Sequence, residues 1–95
     1  MTVSARASGR RLCLEGQLTL DTVSRFCGPT SSPLTDAIAE IDLSGLTRCD
    51  SAGVALLLDW VGQAEGRGQS LTWIGVPAGV RALLDLYDID FLAIA

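Results

Sequence analysis

The sequence predicts an α/β fold: a mixed sheet of mainly four to five strands with helices packed on one face. Three observations lead there. Hydrophobic residues make up 48% of the chain and charged ones only 19%, too apolar a mixture for a disordered segment. Extended and helical patterns alternate as strand, helix, strand, helix, strand, helix, the order of layered α/β architectures. The chain has 95 residues, which suits one domain over 1–95, since domains run from about 50 to 250 residues. A chain of this size buries somewhat over ~60% of its unfolded surface, enough for one core.

The elements follow in order. Ser4–Ala7 and Arg11–Leu14 flank the Ser8-Gly9 turn signal and read as a hairpin. Gly16 is expected to interrupt the pattern, with a second short extended piece, Gln17–Leu20, after it. Asp21 is a plausible N-cap for a first helix starting at Thr22. Gly28, Pro29 and Pro33 cut that helix short or bend it. Ala37–Leu43 reads as a buried strand that Ser44-Gly45 ends, with Leu46–Arg48 a bridge. From Ser51 to about Glu65, Val54, Leu57, Leu58 and Val61 fall at i, i+3, i+4 and i+7, with Asp50 at the N-cap and Gly66-Arg67-Gly68 as the stop. Ser70–Val76 carries apolar residues on both faces and reads as a central, covered strand. Pro77 suits the first turn of a last helix whose stripe is Val80, Leu83, Leu84 and Tyr87. Phe91–Ile94 is a final short strand or a docked tail.

Composition excludes several functions. The formal net charge is −4 and there is no Lys, so neither nucleic acid nor an anionic membrane surface is an expected partner. The chain contains no His, which removes the commonest general base and metal ligand. The longest apolar run, Val54–Leu58, is far short of the ~20 residues that span a bilayer. The first eleven residues carry no signal-type apolar stretch. Cys13, Cys27 and Cys49 are widely spaced, with no CxxC pair, and read as reduced thiols of a cytoplasmic protein, small hydrophobes rather than a zinc site or disulfide framework. No cofactor or metal is expected. Asp85, Asp88 and Asp90 read as a solvated acidic rim.

The position that carries chemistry is the start of the second helix, Asp50-Ser51-Ala52-Gly53. A helix N-terminus has unsatisfied N–H groups and roughly half a positive charge. A phosphate on Ser51 would be tolerated there, while Asp50 would repel it. Gly53 leaves room for another chain to approach closely. Ordinary capping explains the same residues. On a helical wheel Leu56, Trp60, Ala64, Leu57, Val61, Val54 and Leu58 fill roughly 200°, against the ~100° that a one-sided helix needs. Leu56 and Trp60 lie at the outer edge of that arc. Trp is a preferred interface anchor, so the excess marks either a partner contact or packing beneath the chain's other helices. Arg48, beside Asp50, pairs with it or faces a partner. Cys49 precedes a helix start, where a thiol pKa can fall, but reads as buried and inert.

The run Ile41–Leu58, IDLSGLTRCDSAGVALLL, resembles the central segment of the STAS family: a buried strand, Asp-Ser/Thr-x-Gly, then an apolar helix. Leu14-Glu15-Gly16-Gln17-Leu18-Thr19 adds to the likeness, which runs from about Leu12 to Phe91. Asp50 to Leu58, and Gly75-Val76-Pro77 through Leu86-Tyr87, resemble the Mla-type branch of that family, the small subunits of a phospholipid-transporting ABC system.

The resemblance implies a non-catalytic subunit that binds and stabilises or regulates an ABC transporter ATPase subunit of the MlaF type, in a complex with a permease that maintains outer-membrane lipid asymmetry. It would be cytoplasmic and peripheral to the inner membrane, inserting nothing into the bilayer. The expected partner-binding residues are Arg48, Asp50, Ser51, Ala52, Gly53, Leu56 and Trp60, with Thr22 from the first helix. The alternative is an anti-sigma-factor antagonist that binds an anti-sigma kinase and is switched by phosphorylation of Ser51. Ala52 leaves only one of the two adjacent hydroxyl positions that some antagonists carry. An enzyme would need a nucleophile–base pair or a metal cluster, and neither is legible.

Overall fold

A computed structural model of the chain describes residues 2–27, 32–87, 89 and 93–94. Its elements are β1 (Val3–Ser8), β2 (Arg11–Leu18), a 3-10 helix (Val23–Phe26), β3 (Glu40–Cys49), α1 (Ser51–Gly66), β4 (Thr72–Ile74), α2 (Ala78–Leu86) and β5 (Ala93–Ile94). The strands form one five-stranded sheet in the order β1-β2-β3-β4-β5. β1 and β2 are an antiparallel hairpin, and the β2–β3, β3–β4 and β4–β5 pairs are parallel. A parallel pair needs a crossover. α1 supplies it between β3 and β4, and α2 between β4 and β5.

The mixed sheet with helices on one face is as the sequence predicts. Leu12, Ile41 and Trp73 stand in register across three strands, and all are buried. The neighbouring row, Cys13, Asp42 and Ile74, is only half-buried. Alternation of this kind means one face packs under helices and the other meets water. β4 is therefore not covered on both faces, as its apolar composition suggested. It is shorter than expected, and Gly75 beyond it takes a φ of +62°.

Two breaks read from glycines are not breaks. Gly16 lies inside β2, at a φ of +97°. The β2–β3 register slips between Cys13 and Glu15 and again between Gly16 and Gln17, so the glycine serves a bulge rather than a strand end. A Cβ there would collide with the Thr2 carbonyl oxygen, which accepts from Gln17 N–H at 2.8 Å. Gly45 lies inside β3, opposite Glu15. A Cβ at Gly45 would stand 2.7 Å from the Leu14 carbonyl oxygen, so the missing side chain lets the strands approach. β3 runs on through Leu46 to Cys49 and delivers Asp50 directly to α1.

The first helix is one 3-10 turn, and Asp21 does not cap it. Thr22 is its N-cap, without a side-chain capping bond, and Cys27 leaves it in an extended conformation. The broad apolar arc of α1 is absorbed within the chain. Val54, Leu56, Leu57, Trp60, Val61 and Ala64 are all buried, because α1 packs on β3, α2 and the 3-10 helix together. Pro77 is the N-cap of α2, again without a side-chain capping bond. Phe91, Asp88 and Asp90 lie outside the described residues, while Ala93–Ile94 does form the last strand.

Candidate partner-binding site at the start of α1

β3 ends at the mouth of the helical layer, and Asp50 makes the joint. Its backbone is extended, at φ −108° and ψ −172°, as an N-cap requires. One carboxylate oxygen, Oδ1, accepts from Gly53 N–H at 3.1 Å. The other, Oδ2, accepts from Leu20 N–H at 3.0 Å, thirty residues away in sequence. The Asp50 N–H donates to the Leu18 carbonyl at 3.3 Å. One side chain thus caps α1 and ties it to the turn after β2. Partial burial alone would raise the Asp50 pKa. The N–H bonds from Leu20, Gly53 and Ala52 and the nearby Arg48 charge outweigh it, and hold the carboxyl below 3.8.

Gly53 admits a close neighbour, but the neighbour is the chain's own. A Cβ there would collide with the Leu18 carbonyl oxygen and stand 2.7 Å from Cys49 Sγ. The Cys49 thiol is half-buried, and burial, followed by the Asp50 charge, pushes its pKa up to about 11. It is therefore held protonated rather than activated by the helix start. Cys13 is also half-buried, whereas Cys27 is exposed and donates to the Val23 carbonyl.

Of the residues singled out from sequence, Ser51 and Arg48 are exposed, and Asp50 and Ala52 are half-buried beside them. Thr22, Leu56 and Trp60 are buried, and so do not form the exposed surface expected of them. The Thr22 hydroxyl accepts from Thr19 N–H at 2.9 Å and donates to the Gln17 carbonyl at 2.7 Å. It braces the turn from within. Trp60 is 1% exposed, with the Phe26 ring at a centroid distance of 6.0 Å and an angle of 48°, a tilted aromatic pair. The 3-10 helix and Leu34 cover the side of α1 that the wheel left open to a partner. A cavity of about 390 Å³ remains there, lined by Phe26, Leu34, Leu56, Trp60, Asp59 and Gln63 among others.

One exposed residue at this end was not legible. Leu20 is 74% exposed, with its N–H on Asp50. Period-2 reading of Leu12, Leu14, Leu18 and Leu20 assigns it to the core face. The turn at 19–22 ends that periodicity. On the other side of β3 a groove of about 80 Å³ runs between Thr47, Arg48 and Cys49 and the start of α2 at Pro77, Gly79 and Val80. Among the described residues there is no group of three or more His, Cys, Asp or Glu side chains placed to hold a metal. No described helix is long and apolar enough to cross a membrane.

These features define a class, the small α/β domain whose mixed sheet carries one helical layer. Its fold matches that of the solved anti-sigma factor antagonist SpoIIAA in its unphosphorylated form. The TM-score is 0.67 at 14% identity, covering 98% of this chain and 86% of that one. The chain belongs to the STAS family, in the branch described as Mlab, STAS domain, whose family model matches residues 1–93. It is 32% identical over 88 residues to the intermembrane phospholipid transport system binding protein MlaB of Escherichia coli K12, covering 93% of this chain and 90% of that protein. The same figures hold for MlaB of Shigella flexneri.

Proposed function

We propose that this chain is the non-catalytic STAS subunit of a phospholipid-transporting ABC system. It binds the MlaF-like ATPase subunit through the α1 start and stabilises or regulates it. The complex includes a permease and maintains outer-membrane lipid asymmetry. In this reading the subunit is cytoplasmic, held at the inner membrane by its partner, and touches neither lipid nor nucleotide. The similarity to proteins named as phospholipid transport system binding proteins supports the system. The observation that carries the site is the α1 start. There a doubly bonded Asp50 fixes the backbone while Ser51 and Arg48 remain open to solvent. A non-catalytic role accords with a Cys49 thiol held protonated and a chain without His.

The test is co-purification with the MlaF-like ATPase subunit of the same genome. Ser51→Arg places a long cation on the exposed first turn and is expected to abolish capture, with the circular dichroism of the isolated domain unchanged. Undiminished capture by the folded variant removes the reading.

A second reading rests on the exposed Ser51 hydroxyl. There the chain is an antagonist that binds an anti-sigma kinase and is released by phosphorylation. It expects one phosphate after incubation with the cognate kinase, absent in Ser51→Ala. Mass spectrometry showing no added phosphate rejects it.

A further inference from the structure

The turn between β2 and the 3-10 helix is fixed from both sides, and what it presents is apolar. Inside, the buried Thr22 hydroxyl bridges Thr19 N–H and the Gln17 carbonyl. The N–H groups of Thr22 and Val23 both close on the Thr19 carbonyl at 2.9 Å. Outside, Leu20 N–H is held by Asp50 Oδ2. A singly exposed leucine is ordinary on a protein surface. This one sits on a backbone already ordered by the same carboxylate that caps the helix carrying Ser51. Binding through a preordered group loses little conformational freedom, so more of its apolar burial appears as affinity.

The geometry points to Leu20 as the apolar anchor of the partner-binding face and to Asp50 as the positioning residue that holds it there. This rests on the ATPase-binding reading and adds the chemistry of the partner: an apolar socket for one leucine side chain beside Ser51. The rim of that socket carries positive charge opposite the exposed Asp21. Each oxygen of Asp50 has one task. Oδ1 caps α1 and Oδ2 locks the turn. Serine at position 50 separates them, because it caps a helix about as well as aspartate but has one oxygen on a shorter side chain, too short for the second bond.

The experiment measures affinity for the purified MlaF-like ATPase subunit and amide hydrogen exchange at Leu20. Leu20→Ser is expected to weaken binding at least about fivefold, the loss typical of a residue that matters at an interface. Asp50→Ser is expected to weaken it by a similar factor and to speed exchange at Leu20, while the circular dichroism of the isolated domain stays unchanged. In the Leu20→Ser background, Asp50→Ser should then add less than about a further twofold, because the two act as one unit. Parental affinity in Leu20→Ser overturns the anchor. Full additivity of the two substitutions overturns the positioning role. Both results leave the ATPase-binding reading standing so long as Ser51→Arg still abolishes binding. Binding by Ser51→Arg at parental strength rejects that reading and this inference with it.

Discussion

The two helices of this chain begin in contrasting ways. α1 starts at a side-chain cap, with the Asp50 carboxylate bonded to its own Gly53 N–H and to Leu20 across the fold. α2 starts at Pro77, which offers no side-chain cap. α1 buries seven of its sixteen residues. α2 has nine residues and buries Val80 and Leu84. It ends with Leu86 and Tyr87 largely in solvent. A proline start fixes φ and needs no donor, which suffices for a helix that lies on one surface. A helix enclosed on several sides has its entry angle fixed by every neighbour. The contrast teaches that polar connections gather where the chain crosses from sheet to core, and leave an ordered surface behind.

The comparison breaks first at the aromatic contact. Trp60→Ala removes a fully enclosed indole and is expected to lower stability by about 3–5 kcal/mol. Leu86→Ala on α2 should stay within about 0.5 kcal/mol of the parent. Urea unfolding of both variants checks the pair, and equal losses would erase the distinction between the helices. A glycine pair sharpens it. Gly53→Ala meets the Leu18 carbonyl and Cys49 Sγ, and should cost about 1–3 kcal/mol as overpacking. Gly79→Ala in α2 meets nothing within 4 Å among the described residues, and should gain about 0.5–1 kcal/mol from helix propensity. Opposite signs in thermal melts are the expected outcome.

The smallest effect is in pH. The Asp50 carboxyl is depressed below its ordinary 3.8, so its contribution is complete above that value and fades as pH falls through the lower folded pKa. Asp42 is depressed too, by bonds from the Ser44 hydroxyl and N–H, and contributes in the same window. Parent and Asp50→Asn should therefore keep a constant stability gap from pH 7 down to 3.8 and converge only as pH falls below it, without either curve becoming flat. A gap that stays constant well below 3.8 would mean the Asp50 charge is not what ties the α1 start together.

The sequence was most readable where local chemistry and tertiary structure agree. Asp50 is the N-cap its position suggested, and α1 runs from Ser51 through the expected glycine stop. It was least readable where glycine serves a neighbour rather than its own element. Gly16 and Gly45 look like strand ends, because nothing local reveals the carbonyl groups that approach them. Trp60 shows the same limit. Its place on the wheel is compatible with a partner or with Phe26, and the answer depends on where a 3-10 turn thirty-four residues upstream folds back. Leu20 is the converse, a residue in step with the core that a turn delivers to the surface.

Trp60 and Trp73 are the chain's two tryptophans, and both are among its most completely enclosed side chains. One lies in the helical layer and the other in the sheet, so native tryptophan emission is an optical record of the interior alone. Trp60→Phe and Trp73→Phe each leave a single tryptophan, reporting respectively from β4 and from α1. Coincident transitions from the two would show that the layers melt as one unit. Among the described residues the buried Trp73 N–H has no hydrogen-bond partner, so replacing that ring removes a desolvated donor along with the dye.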